Sequence, residues 1–163
     1  MLNPHQFVSL ILEPALKATG MYSIDAMYLM TCTALVESKL THLKQLPEGP
    51  AIGFMQIEPA TYKDIFRYLA IKDQLRSNIL NYTERVYLPY NMVNVLGDLS
   101  LNVLIARVKY WMQPERIPSY KDPEAQAAYY EKYYNGNPEV DKTTEFLRHF
   151  KDIEGWINYE IKA

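Results

Sequence analysis

The sequence predicts an all-α protein, and three observations carry that prediction. Apolar residues recur at helical spacing along nearly the whole chain. Only six glycines punctuate its 163 residues, with no low-complexity tract and no internal repeat. The segment 23–37 is apolar all round, as expected of a helix buried at the centre of a domain rather than lying on its surface. The length fits one domain over residues 1–163, long enough to enclose a core.

The first helix is expected from about Pro4, where proline suits an early helical position, to Gly20. Its apolar set is Phe7, Leu10, Ile11, Ala15 and Leu16. The second spans 23–37, with Ser23 placed to cap its first N–H groups. Residues 41–58 read as a loop, marked by Pro47, Gly49, Pro50 and Gly53, after which Pro59 opens a helix to about Tyr68. A helix over about 72–80 follows, then a tyrosine-rich connection over 81–92. Asp98 is expected to cap a helix reaching Met112, with Leu101, Leu104, Ile105, Val108 and Trp111 on its inner face. After a loop over 114–123, a helix starts at Asp122 or Pro123 and runs to about Tyr134. The last helix covers about 141–161, with Phe146, Leu147, Phe150, Ile153 and Ile157 as its apolar set. Strands are expected to be minor.

Composition narrows the function classes. The formal net charge of −2 gives no reason to expect a nucleic-acid partner, whose phosphates would need neutralising. Cys32 is the only cysteine, so an intramolecular disulfide and a Cys-rich zinc site are both excluded, and its apolar neighbours Met30, Ala34 and Leu35 fit a small buried side chain. His5, His42 and His149 are scattered and form no metal-binding motif; no cofactor is expected. No stretch approaches the roughly 20 uncharged apolar residues of a membrane span. Residues 1–6 contain neither a basic segment nor an apolar run, so the expectation is a product made without a signal peptide, soluble in the cytoplasm.

The chemistry-bearing candidates are Glu37-Ser38 and the loop Gly49-Pro50-Ala51-Ile52-Gly53-Phe54-Met55-Gln56-Ile57-Glu58-Pro59-Ala60-Thr61. A glutamate closing a buried helix meets apolar surroundings and the negative end of the helix dipole, and both favour a carboxylic acid that keeps its proton. A general acid for glycosidic cleavage needs that property. Glycines in the loop would let the main chain approach a sugar closely. Each feature also has an ordinary reading: a solvated helix end, a turn, core side chains. Tyr129, Tyr130, Tyr133 and Tyr134 form two adjacent helical stripes that suit either a sugar-stacking platform or core packing with hydroxyls at the rim.

Glu37-Ser38, then Gly53-Phe54-Met55-Gln56-Ile57 and Pro59-x-Thr61, resembles the signature of the lytic transglycosylases, relatives of goose-type lysozyme in the lysozyme-like superfamily. Gly53 lies 16 residues after Glu37, with Phe54 where that family commonly has leucine. The version with Gln45, Gly49-Pro50-Ala51 and Glu58-Pro59 is most similar to bacteriophage members. The resemblance is tight over about 30–65, looser to Asn137, and says little about the first and last helices. It implies a lysozyme-like helical domain whose central buried helix ends at the catalytic Glu37. Ser38, Met55 (through its main chain), Gln56, Asn102, Tyr134 and Asn135 would bind substrate. Asn102 matches an expected cleft-lining asparagine, and Tyr133-Tyr134-Asn135-Gly136-Asn137 keeps the Tyr-Asn of a C-terminal motif while departing in the two residues after it.

The implied partner is the glycan strand of peptidoglycan, cut between N-acetylmuramic acid and N-acetylglucosamine to leave 1,6-anhydro ends. It also implies action on the cell wall after release, as an endolysin, or within a virion among other virion proteins. One alternative is a lysozyme-type muramidase, which would normally use a second carboxylate. Glu58 and Asp64 are nearest in sequence, with Glu58 expected to accept N–H bonds at the start of the following helix and Asp64 to be solvated. Another alternative is a non-catalytic helical virion or interaction module.

Overall fold

The computed structural model describes residues 1–137 and 139–161. Its α-helices are α1 (Pro4–Phe7), α2 (Glu13–Ala18), α3 (Ile24–Ser38), α4 (Pro59–Ala70), α5 (Asp73–Tyr82), α6 (Leu99–Trp111), α7 (Pro123–Tyr133) and α8 (Thr143–Ile161). A π-helical turn, Val8–Leu12, joins α1 to α2, and a 3-10 turn, Met92–Val95, precedes α6. Extended pairing among the described residues is limited to the isolated bridges Lys44 with Ile52 and Ile52 with Ile57. The protein is mostly helical, as its periodicity predicts.

Helix α3 is the axis of the molecule. Residues 26–36 are buried without a break, and α6, α7, α8 and the π turn pack around them. Each fully buried aliphatic side chain, such as Leu29 or Met30, contributes about 1.5–3 kcal/mol. Two polar side chains survive here because they bond locally: Thr31 Oγ1 donates to Met27 O at 2.7 Å and Thr33 Oγ1 to Leu29 O at 2.8 Å. Cys32 is fully buried, and burial pushes its thiol well above the usual range. The helix begins as expected, with Ser23 Oγ accepting from Ala26 N at 3.0 Å.

Asp98 likewise caps α6 through Leu101 N at 2.8 Å, and its other oxygen accepts two bonds from Arg85. Asp122 caps α7, with Pro123 in the first turn. The α7–α8 hairpin then lays α8 along α3, burying Phe146, Phe150 and Ile153. Ile157 lies outside the residues whose side chains are described.

Two expected faces are corrected. Leu10, placed on the first helix's inner stripe, is 68% exposed, while Val8 and Leu12 are buried. Pro14 has no N–H to return to Leu10 O, and its ring would press on that carbonyl in a regular helix. The π turn, closed by Glu13 N to Val8 O, relieves this and rotates the stripe. Trp111, expected on the inner face of α6, is 44% exposed and carries the Arg107 guanidinium over its ring at 5.0 Å.

Candidate active site

The end of α3 opens on a cleft of about 500 Å³. Its walls come from the α3 terminus, the loop before α4, Thr61 of α4, Lys109 of α6, and Tyr134 to Asn137 with Lys142 between α7 and α8. The helix stops without glycine: Lys39 and Leu40 take left-handed φ values of 54° and 52°. Such a pair is unfavourable for residues with a Cβ. It is held by Ser38, whose Oγ donates to Ala34 O and accepts from Leu40 N, both at 3.2 Å, and by burial of the Leu40 side chain.

Glu37 therefore sits at the rim of the core, its side chain 12% exposed. Tyr130 Oη of α7 donates to Glu37 Oε1 at 2.5 Å, and Lys142 Nζ lies 3.2 Å from Oε1 and 3.4 Å from Oε2. The apolar surroundings expected for Glu37 are thus only part of its setting: a phenol and an ammonium group also face its carboxyl. Lys142 is itself tethered, since its N–H donates to Glu131 Oε2 at 3.3 Å. Glu131 Oε1 also accepts from Asn135 Nδ2 at 2.6 Å, and the same Nδ2 donates to Val140 O at 2.7 Å. Asn135 thereby fixes the link that delivers Lys142 to Glu37.

The loop opposite is a tight four-residue turn. Ile52 and Ile57 exchange both main-chain bonds, at 2.9 and 3.0 Å, around Gly53-Phe54-Met55-Gln56. Gly53 has φ +78°, and a Cβ there would stand 2.2 Å from Asn102 Nδ2. Gln56, at φ 48°, donates from Nε2 to Gly53 O at 2.7 Å. Asn102 holds this turn from α6, its Oδ1 accepting from Met55 N at 3.0 Å and its Nδ2 donating to Ile52 O at 3.3 Å. Tyr134 Oη holds the turn from the other side by donating to Met55 O at 2.6 Å.

The structure brings Glu37, Ser38, Gln56, Tyr134 and Asn135 to one cleft, but not Met55 or Asn102. The Met55 side chain is fully buried, and both of its main-chain groups are taken, so neither is left for a sugar. Both ends of the Asn102 amide are likewise spent on the turn. These two residues shape the wall from behind. The Ser38 hydroxyl is committed to the helix end. Of the expected binding groups, the Gln56 amide oxygen keeps an acceptor without a bond among the described residues.

Lys142 and Lys109 line the cleft with nothing in the sequence to mark them, whereas Tyr130 and Glu58, which the sequence offers as a stripe residue and a nearby carboxylate, also stand in or beside it. Glu58 begins α4 but makes no side-chain capping bond; its carboxylate lines the cleft instead. Tyr130 belonged to the tyrosine stripes, which the structure resolves as core packing. Tyr130 stacks on Phe146 with centroids 5.3 Å apart and Tyr134 tilts against Tyr110 at 5.0 Å. Only the positions of α7 and α8 relative to α3 reveal Lys142, and no local signal marks it.

Lys109 donates to Tyr134 O at 3.0 Å and lies 3.9 Å from that ring's centroid. Burial pushes its ammonium down to about 8, against the upward pull of Glu37 and Glu58. Between about pH 8 and the ordinary lysine value of 10.5, the unfolded chain therefore binds more protons at this residue than the folded one. Its contribution makes the fold more stable as pH rises through that window. Lys109→Met should flatten the rise; denaturant midpoints measured at pH 7.5 and about 10 check this, and an unchanged slope counts against it.

Among the described residues, no group of three or more His, Cys, Asp or Glu side chains is placed to hold a metal ion, and no helix is long and apolar enough to cross a membrane. Comparison of the chain with protein-family models, curated proteins and solved structures found no match.

Proposed function

We propose that the cleft cuts the β-1,4 bond between N-acetylmuramic acid and N-acetylglucosamine in peptidoglycan, by a lytic transglycosylase route within a lysozyme-like fold. One observation carries this reading. Glu37, Gln56, Tyr134 and Asn135, distant in sequence and singled out by their likeness to that family's motifs, line one cleft large enough for a sugar unit.

Glu37 as the acid gives its proton to the glycosidic oxygen, and the bond to the anomeric carbon breaks. The resulting carboxylate takes the proton of the muramic C6 hydroxyl while that oxygen bonds to the anomeric carbon. Glu37 is again the acid, no water is consumed, and the new end is a 1,6-anhydro ring. Tyr130 selects which carboxyl oxygen is held, and Lys142 balances the carboxylate stage of the cycle. Gln56 offers its amide oxygen to the substrate, and the Tyr134 hydroxyl and Asn102 keep that side of the cleft rigid.

A lysozyme-type hydrolysis is the second reading, and Glu58 favours it as a second carboxylate in the same cleft, placed to activate water. The products separate the two. Purified sacculi digested with the chain should release muropeptides ending in anhydro-muramic acid. Reducing ends, heavier by one water, would shift the assignment to hydrolysis with Glu58 as base. No soluble fragments at all would leave a non-catalytic helical module, such as a virion component. If the chain does act on cell walls, a virion or endolysin setting with other virion proteins nearby follows from the resemblance to bacteriophage members.

A further inference from the structure

A second cavity, of about 400 Å³, lies between the start of α3, the end of α6 and the loop that follows it. It is separate from the cleft: Arg107 lines it and Lys109 lines the other, two residues apart and so on different faces of α6. Arg107 is only 6% exposed. Its Nε donates to Met21 O at 3.1 Å, while its two terminal nitrogens have no hydrogen-bond partner and no ion pair among the described residues. These nitrogens are left open to the cavity, where an anion can reach them, while burial of the rest of the side chain pushes the guanidinium down to about 10.

The rest of the wall fits the same ligand chemistry. The half-exposed Trp111 ring backs the guanidinium plane and Tyr22 stands at the rim, so a planar or apolar body beside the anion finds surface to rest on. Ser23 and Ile24 begin the long helix α3, whose N-terminal dipole end favours negative charge. Asp25, Glu115 and the exposed Arg116 also line the cavity. Asp25 accepts from Tyr120 N at 2.8 Å and Glu115 pairs with Lys132. Two carboxylates set against the guanidinium groups of Arg107 and Arg116 leave the wall no excess positive charge for a dianion.

We propose that this cavity binds a monoanionic carboxylate, taken in the fork of Arg107, on a ligand of about amino-acid to dipeptide size. The fork matches a carboxylate with two parallel bonds. The site stands independently of the glycosidase reading.

Backbone amide shifts of Tyr22, Ser23 and Trp111 in the full chain, titrated with four probes, test the proposal. Benzoate represents a small aromatic acid and acetyl-dialanine a peptide C-terminus; benzyl alcohol and inorganic phosphate are the neutral and dianionic comparisons. At least one carboxylate should saturate these shifts with a dissociation constant of about 1 mM or tighter, and which of the two does so assigns the source. Benzyl alcohol or phosphate binding as tightly, or neither carboxylate saturating, overturns the proposal.

Arg107→Met should weaken the carboxylate about a hundredfold, the loss of both charge-assisted bonds. Should that variant not fold, Trp111→Leu at the half-exposed rim should weaken it about threefold. Unchanged affinity in whichever variant folds overturns the assignment.

Discussion

Glu37→Gln is expected to lower the rate of peptidoglycan solubilisation by roughly a thousandfold while the chain stays folded. The substitution keeps the shape of the side chain and can still accept from Tyr130, but it cannot deliver or take up the proton. It also breaks the pair with Lys142, whose side chain is 27% exposed and can turn to water, so the stability cost is about 1 kcal/mol. Glu37→Asp sharpens the test. It keeps the acid but withdraws the carboxyl by one methylene from Tyr130 and the cleft, so activity should fall strongly without vanishing. Dye release from labelled sacculi, read beside thermal melts, separates lost chemistry from lost fold. Wild-type activity in a folded Glu37→Gln variant would remove this residue from the role.

The largest effect on stability is expected at Gly53. Alanine there is strained at φ +78°, and its Cβ would stand 2.2 Å from Nδ2 and 2.4 Å from Cγ of Asn102. Asn102 cannot swing aside, because it is buried and both ends of its amide hold the turn. Strain and overpacking together predict a loss of about 3 kcal/mol or more, or a melting temperature about 10 °C lower for a domain of this size.

Two other glycines divide that loss into parts. Gly20 shares the positive φ, +73°, but a Cβ there meets nothing within 4 Å, so Gly20→Ala measures strain with little clash. Gly97 has neither the positive φ nor a neighbour within 4 Å, so Gly97→Ala should be nearly neutral. Denaturant midpoints should therefore fall in the order Gly97→Ala, Gly20→Ala, Gly53→Ala. If Gly53→Ala is no worse than Gly20→Ala, Asn102 is not the rigid support described for the turn.

These residues also show how far the sequence could be read. Local signals were reliable: Ser23 and Asp98 cap the helices assigned to them, and the all-round apolar run of α3 does become the buried axis. The register of the first helix was not legible, because the π turn that accommodates Pro14 depends on a hydrogen-bond pattern that a fixed 3.6-residue period does not describe. The same periodicity points Trp111 inward, whereas its ring is half-exposed and covers the buried Arg107 guanidinium.

In the cleft, residue identity told more than residue role. Glu37 and Gln56 reach the cavity, whereas Met55 and Asn102 stand behind its wall, a difference that depends on where the turn's hydrogen bonds go. Lys142 was beyond reach: it meets Glu37 only because α8 folds back along α3, and a lysine before a helix carries no mark of that. Glu58 looked like a capping residue by its position before Pro59, yet the helix start leaves its carboxylate free to enter the cleft.

In the proposed reaction the scissile bond lies against Glu37. A crystal structure of the Glu37→Gln variant with a peptidoglycan glycan fragment tests it most directly. The sugar should lie in the cleft between Gln56 and Asn135, with a glycosidic oxygen within hydrogen-bond reach of the residue 37 side chain. A fragment bound elsewhere, or with its glycosidic oxygens out of reach of residue 37, contradicts it.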